Sequence, residues 1–175
     1  MIVALDLATR TGVCVGAPGA APRAWSVDLG AGRSEDQRFS NALILTHTLI
    51  EAHRPDLIAL EAAIGGPKAS HFLIGLVAVV RACARNRRVE VKSCALNAVR
   101  KHFLGSVPTV RGQSATSKNK AKAAIKAMVM NRCRALGYAA DDHDAADAAA
   151  LWDYATALRS PAHAAMTAGM FGGRS

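Results

Sequence analysis

The chain has no apolar run approaching the ~20 residues that a membrane span needs, and this excludes a helical spanning role. It shows no internal repeat, which excludes a solenoid or propeller array. Its start, Met1-Ile2-Val3-Ala4-Leu5-Asp6, is not a basic stretch followed by an apolar one, so no secretory signal is expected. The four cysteines (Cys14, Cys83, Cys94 and Cys133) lie far apart with no metal-type spacing. They suit small buried residues in a reducing compartment, and the expected setting is the cytoplasm. Acidic residues are nearly missing from one long segment. Between Arg81 and Arg134 there are fourteen Lys/Arg and a single acid, Glu90, whereas the rest of the chain carries eight Lys/Arg and twelve Asp/Glu.

A net charge of +9 segregated in this way sets up a local positive field. Surfaces tuned only for solubility usually mix both signs. A one-signed segment instead favours a polyanion, through phosphate contact and counterion release, so nucleic acid is the expected partner. With 175 residues, half of them hydrophobic, the chain is long enough for one domain with a sizeable core and short for two.

Met1–Asp6 has the length of a strand and ends on an acid. Residues 12–16 and 24–29, separated by the Pro/Gly-rich 17–22, read as further antiparallel strands. Apolar residues recur at helical spacing over 33–53. Residues 56–60 form a second buried strand and again end on an acid, Glu61. Gly65-Gly66-Pro67 breaks the chain before an apolar helix over 68–86. A short strand follows at 89–92, then a helix capped by Ser93 and running to Phe103. Residues 104–116 read as a loop, Ser117 as the cap of a basic helix over 118–136 closed by Gly137, and 142–158 as a last helix. Domain 1–159 is followed by an Ala/Gly/Met-rich 160–175, expected to be a flexible tail. This order predicts an α/β layer fold with a mixed sheet.

Carboxylates stand where packing alone does not ask for them. Asp6 and Glu61 each follow an apolar strand. Asp144 and Asp147 lie three apart on one face, in the first turns of an alanine-rich helix. Taken singly, each has an ordinary reading: a turn cap for Asp6, an ion pair for Glu61, first-turn helix acids for the other two. Together they form a hard oxygen-ligand set of the kind Mg²⁺ or Mn²⁺ prefers, placed around a basic segment. Asp141 and Asp142 fit an N-cap better than a ligand, and His143 is a candidate metal or proton-transfer residue. Phe72 falls in a stripe with Leu73, Leu76, Val77 and Val80, which favours packing in the core or between subunits.

Leu5-Asp6-Leu7-Ala8-Thr9-Arg10-Thr11-Gly12 resembles the first acidic strand of RuvC-like Holliday junction resolvases, a branch of the RNase H-like superfamily. Ile58-Ala59-Leu60-Glu61 resembles their second acidic strand, and Asp144-Ala145-Ala146-Asp147-Ala148-Ala149 their closing helix. Lys118–Lys122 falls where such enzymes carry DNA-contacting lysines. The order and spacing agree over residues 1–158. Val99–Gly105 and Asp142-His143-Asp144 look closer to phage and prophage versions than to the cellular housekeeping enzyme. The first motif alone also resembles sugar kinases and ATPases of related fold.

The resemblance implies an RNase H-like fold, with three antiparallel N-terminal strands and then parallel ones in a central sheet flanked by helices. It implies a bacterial or phage-encoded homodimer acting on branched DNA (four-way junctions, forks or flaps). Each active site would hold two Mg²⁺, replaceable by Mn²⁺, on Asp6, Glu61, Asp144 and Asp147. These ions would generate the attacking hydroxide and stabilise the leaving 3′ oxygen. Lys118, Lys120, Lys122, Arg111 and Lys68 are the expected DNA contacts. Two alternatives stand beside this reading. A non-catalytic branched-DNA-binding protein of the same fold would fit a missing acid, but all four are present. A phosphotransferase would need a second lobe, for which the chain leaves no room.

Overall fold

The computed structural model describes residues 1–62, 70–106 and 115–169, with the side chains of 115–118 and 168–169 left out. The expected DNA contacts Lys68 and Arg111, and the break at Gly65-Gly66-Pro67, lie outside the described residues. Elements run in the order β1 (Ile2–Asp6), β2 (Arg10–Gly16), β3 (Arg23–Asp28), α1 (Glu35–His53), β4 (Leu57–Glu61), α2 (His71–Asn86), β5 (Glu90–Cys94), α3 (Leu96–Leu104), α4 (Ala115–Ala135), β6 (Ala139–Ala140), α5 (His143–Ala157) and α6 (Pro161–Gly169).

The strands form one sheet in the order β5-β4-β1-β2-β3-β6. β1 pairs antiparallel with β2, and β2 with β3. β4 lies parallel to β1, β5 parallel to β4, and the short β6 parallel to β3. This is the expected mixed α/β sheet, with β6 as an addition.

Side chains alternate across the pleat. Val3, Leu5, Val13, Val15, Ile58 and Leu60 pack against Leu49, Ile50, Val80, Cys83 and Ala84 of α1 and α2. Ile2, Ala4, Cys14, Ala24, Leu57 and Ala59 pack on the other face against α3, α4 and α5. The alanines of α5 let it lie close on the sheet: Ala145, Ala146, Ala148 and Ala149 are fully buried. All four cysteines are free and buried, as expected.

Three local expectations change. Ser93 does not cap α3. Pairing of Leu60 with Ser93 and of Glu61 with Cys94 carries β5 two residues further, and Ala95 caps α3 without a side-chain bond. α4 starts at Ala115, so Ser117 lies within it. The third concerns the expected flexible tail from residue 160, most of which forms helix α6. Ser160 receives the His163 N–H, Pro161 takes the first helical position, and His163 and Thr167 are buried one turn apart. Residues 170–175 lie outside the described residues. Among the described residues, no helix is long and apolar enough to cross a membrane.

Candidate active site

β1 and β4 are parallel and in register, Leu5 beside Leu60, so the acids that follow them emerge side by side at one end of the sheet. Asp6 continues the face of Ile2 and Ala4, and Glu61 that of Leu57 and Ala59. Both therefore face α5. Asp6 lies opposite Gly12 of β2, and a Cβ at Gly12 would stand 2.0 Å from the Asp144 carbonyl oxygen. Glycine at this position lets the first turn of α5 rest directly on the strand.

Asp142 sets the start of α5. Its Oδ1 accepts the Ala145 N–H at 2.9 Å, which makes it the N-cap. Its Oδ2 accepts the Ser26 hydroxyl and the Arg10 guanidinium, each at 2.5 Å. These charge-assisted bonds hold the Asp142 carboxyl well below the usual range despite partial burial. The cap thus bolts α5 to β2 and β3, and with it Asp144 and Asp147.

Asp6, Glu61 and Asp147 line one cleft, walled by Leu96, Val99, Arg100 and Phe103 of α3, Val129 of α4, and Ala150 and Leu151 of α5. Asp144 stands beside them and not in the lining. It is 3.5 Å from Arg10 Nε and 4.0 Å from Lys126 Nζ. The four acids feel one another. Burial, then the charges of Asp147, Glu61 and Asp144, push Asp6 up to about 7, against a smaller pull from Lys126. Burial also raises Glu61, with Arg100 opposing and Asp147 adding. Asp147 rises by burial, against Lys126 and Arg100.

Such mutual repulsion in a semi-buried place is what a bound cation would relieve, and four carboxylates are hard donors that suit Mg²⁺ or Mn²⁺. The side chains as they stand are not a closed cage: among the described residues, no group of three or more His, Cys, Asp or Glu is arranged to hold a metal ion.

The structure is similar to that of Thermus thermophilus RuvC, with a TM-score of 0.63 and 18% identity over 90% of this chain and 95% of that one. T. thermophilus RuvC in complex with Holliday junction substrate gives 0.62 at 16% identity, over 90% and 94%. The yeast mitochondrial Holliday junction resolvase Ydc2 gives 0.55 at 11% identity, over 94% and 80%. The fold is RNase H-like. No family profile matches the chain, and no curated protein sequence matches it. The similarity is therefore one of architecture, and the phage-like look of Val99–Gly105 stays a resemblance of sequence.

Within this RNase H-like frame, the remaining candidates fall as follows. Lys120 and Lys122 are exposed on α4, and Lys118 precedes them by two and four residues on the same helix. His143 is exposed, and its charge acts on Asp147. Phe72 stacks on Phe39 at 5.5 Å, under the Arg38 guanidinium at 4.3 Å, and packs against Leu29, Ala42 and Leu76, the packing role expected of it. Sequence reasoning missed Arg100, the basic side chain in the cleft wall. Its signal was slight: one arginine beside the buried pair Val99 and Phe103 on a short helix.

Proposed function

We propose that this protein is a structure-specific endonuclease that hydrolyses phosphodiester bonds in branched DNA, four-way junctions among its substrates. The observation that carries this reading is the gathering of Asp6, Glu61 and Asp147 in one cleft with Asp144 beside them, where burial and then the neighbouring acids push Asp6 up to about 7. The RNase H-like fold and the one-signed basic segment support it. T. thermophilus RuvC, whose fold is similar, is known in complex with Holliday junction substrate.

The four carboxylates would hold divalent cations, Mg²⁺ or Mn²⁺, which when bound supply an activated water and charge neutralisation for in-line hydrolysis. The chain's own groups bind and orient. Arg100 and Lys126 place positive charge beside the acids, where a scissile phosphate would bring negative charge. Leu96, Val99 and Phe103 wall the cleft against bulk water. The lysines of α4 would bind the backbone of an arm, and Lys68 and Arg111 are proposed as further DNA contacts.

A panel of synthetic four-way junctions, forks and flaps, incubated with Mg²⁺ or with EDTA, tests the proposal. Cleavage with Mg²⁺ alone, by more than linear duplex receives, is expected. Tight binding with no cutting in either condition would favour a non-catalytic binding protein.

Two further results are expected. Lys118 and Lys122 lie four apart on α4 and share a face. Replacing both with alanine should weaken binding to every branched DNA alike and reduce the slope of log affinity against log salt by about 1–2. An unchanged slope would put the DNA elsewhere. We further propose a homodimer, because paired nicks in a two-fold junction call for two related sites. Leu73 and Ile74 of α2, 37% and 45% exposed, are candidate contacts. Sedimentation as a monomer at micromolar concentration, with and without junction DNA, would count against it.

A further inference from the structure

A second polar cluster lies outside the carboxylate site. Asp153 on α5 is 1% exposed, yet it carries a carboxylate. Its Oδ1 accepts the Tyr138 hydroxyl at 2.6 Å and pairs with His163 Nε2 at 3.0 Å, while its Oδ2 pairs with His102 Nε2 at 2.9 Å. Burial pushes this carboxyl up, but the hydrogen bonds from His102, Tyr138 and His163, together with the His102 charge, outweigh it and hold it below its usual range. Three separate stretches of chain thus meet on one oxygen pair of α5.

His163 and Tyr138 are themselves buried, and they fasten α6 and the turn before β6 to α5. His102 differs: its side chain is 27% exposed, and it sits on α3. This helix has only nine residues and no side-chain cap at its start. Val99 and Phe103 form its buried stripe. At about 100° per residue, His102 flanks the stripe on one side and Arg100 on the other. A nonpolar stripe alone does not fix rotation about the helix axis. On the His102 flank, the bond to Asp153 and the Tyr154 ring at 5.4 Å add directional contacts. Arg100 on the opposite flank lines the cleft, with its Nε buried and without a hydrogen-bond partner among the described residues.

We propose that His102 and Asp153 are positioning residues, which lock the rotation of α3 so that the Arg100 guanidinium faces Glu61 and Asp147. The kinetic part of this inference rests on the nuclease reading; the structural part does not. Asp153→Ala would strand Tyr138 and His163 without their acceptor and threatens folding, so the test uses His102→Ala and His102→Gln.

In the metal-free protein, the Arg100 Nε–H resonance should be sharp and slow to exchange. It should broaden or exchange rapidly in His102→Ala and recover in His102→Gln, which can still donate to Asp153. On a four-way junction with Mg²⁺, His102→Ala should lower kcat about tenfold to a hundredfold while KM changes less than about twofold. In an Arg100→Ala background, the same substitution should cost nothing more. An Arg100 signal unchanged in His102→Ala, or losses that multiply in the double variant, would overturn the proposal. If the wild type cuts no branched DNA, the functional reading fails while the Arg100 resonance still decides this one.

Discussion

Asp6→Asn is expected to end cleavage and, in the same protein, to raise stability. The first effect follows from losing one of the four charges proposed to hold the cations: turnover with Mg²⁺ should fall at least about 10²–10³-fold, with junction binding kept. Glu61→Gln, Asp144→Asn and Asp147→Asn should behave alike. Near wild-type cutting by two of the four would show that the site is misassigned.

The second effect follows from electrostatics in the metal-free chain. Asp6 is raised from its ordinary value to about 7, so the folded state holds its proton more tightly than the unfolded state does. The stability linked to that proton is complete below about pH 4 and is lost as pH rises through about 7. A shift of about three units corresponds to about 4 kcal/mol, an upper figure once side chains and water relax. Glu61 and Asp147 are raised as well and carry the same sign. The metal-free wild type should therefore lose stability from about pH 5 up through about pH 7 and level off by about pH 8. Asp6→Asn should flatten that slope and gain about 1–3 kcal/mol at the upper end. Mg²⁺ should stabilise the wild type more than the variant. Urea unfolding across pH, with EDTA and with Mg²⁺, reads all of this. A wild type more stable at pH 8 than at pH 5 in EDTA, a range about that same window, would contradict it.

The other large effect is expected at Gly12. A Cβ there would stand 2.0 Å from the Asp144 carbonyl oxygen, 2.6 Å from its carbon and 3.1 Å from Ala148 Cβ. Two of these are backbone atoms in α5, a helix buried along most of its length, so no rotamer change can relieve them. Either α5 lifts from the sheet or β2 yields. Overpacking of this kind costs about 1–3 kcal/mol or more, and Gly12→Ala should lie at or beyond the top of that range. Lifting α5 also carries Asp144 and Asp147 away from Asp6 and Glu61, so cleavage should vanish even where the chain remains folded. Gly19→Ala is the control. Gly19 has φ +84° but nothing near a would-be Cβ, so the cost should be only about 1 kcal/mol with cleavage intact. A Gly12→Ala protein as stable as Gly19→Ala would show that α5 does not sit this close to β2.

The acids were legible in the sequence because they interrupt apolar runs. A carboxylate after Ile-Val-Ala-Leu or Leu-Ile-Ala-Leu breaks a local pattern that a reader can see. The helices α1 and α2 were legible through their apolar spacing, and α4 and α5 through their capping residues and composition. What stayed hidden depended on partners distant in the chain. Ser93 reads locally as a cap, but β4 holds it in a strand. Ala139-Ala140 has no pattern of its own and becomes β6 only beside Arg23 and Ala24. The Ala/Gly/Met-rich end looked featureless, and one imidazole, His163, docks it through Asp153. Arg100 gave only a slight sign because its significance comes from Glu61 and Asp147, each on another element.

The last of the acid-bearing elements to be made is also the one that closes the core. A ribosome makes Asp6 and Glu61 before it makes α5 with Asp144 and Asp147, so the strands can pair while that helix is still to come. Until α5 docks, Asp6 lacks both its burial and two of the three charges that raise it, so the partial sheet carries little of the repulsion that strains the finished site. The same docking brings Trp152 against Gly16, where its indole N–H reaches the strand carbonyl at 3.3 Å. A nascent chain is thus electrostatically quiet and lacks a complete set of acids. One long-range step both consolidates the fold and brings the four candidate acids together, and contacts so distant in sequence make that step a slow one.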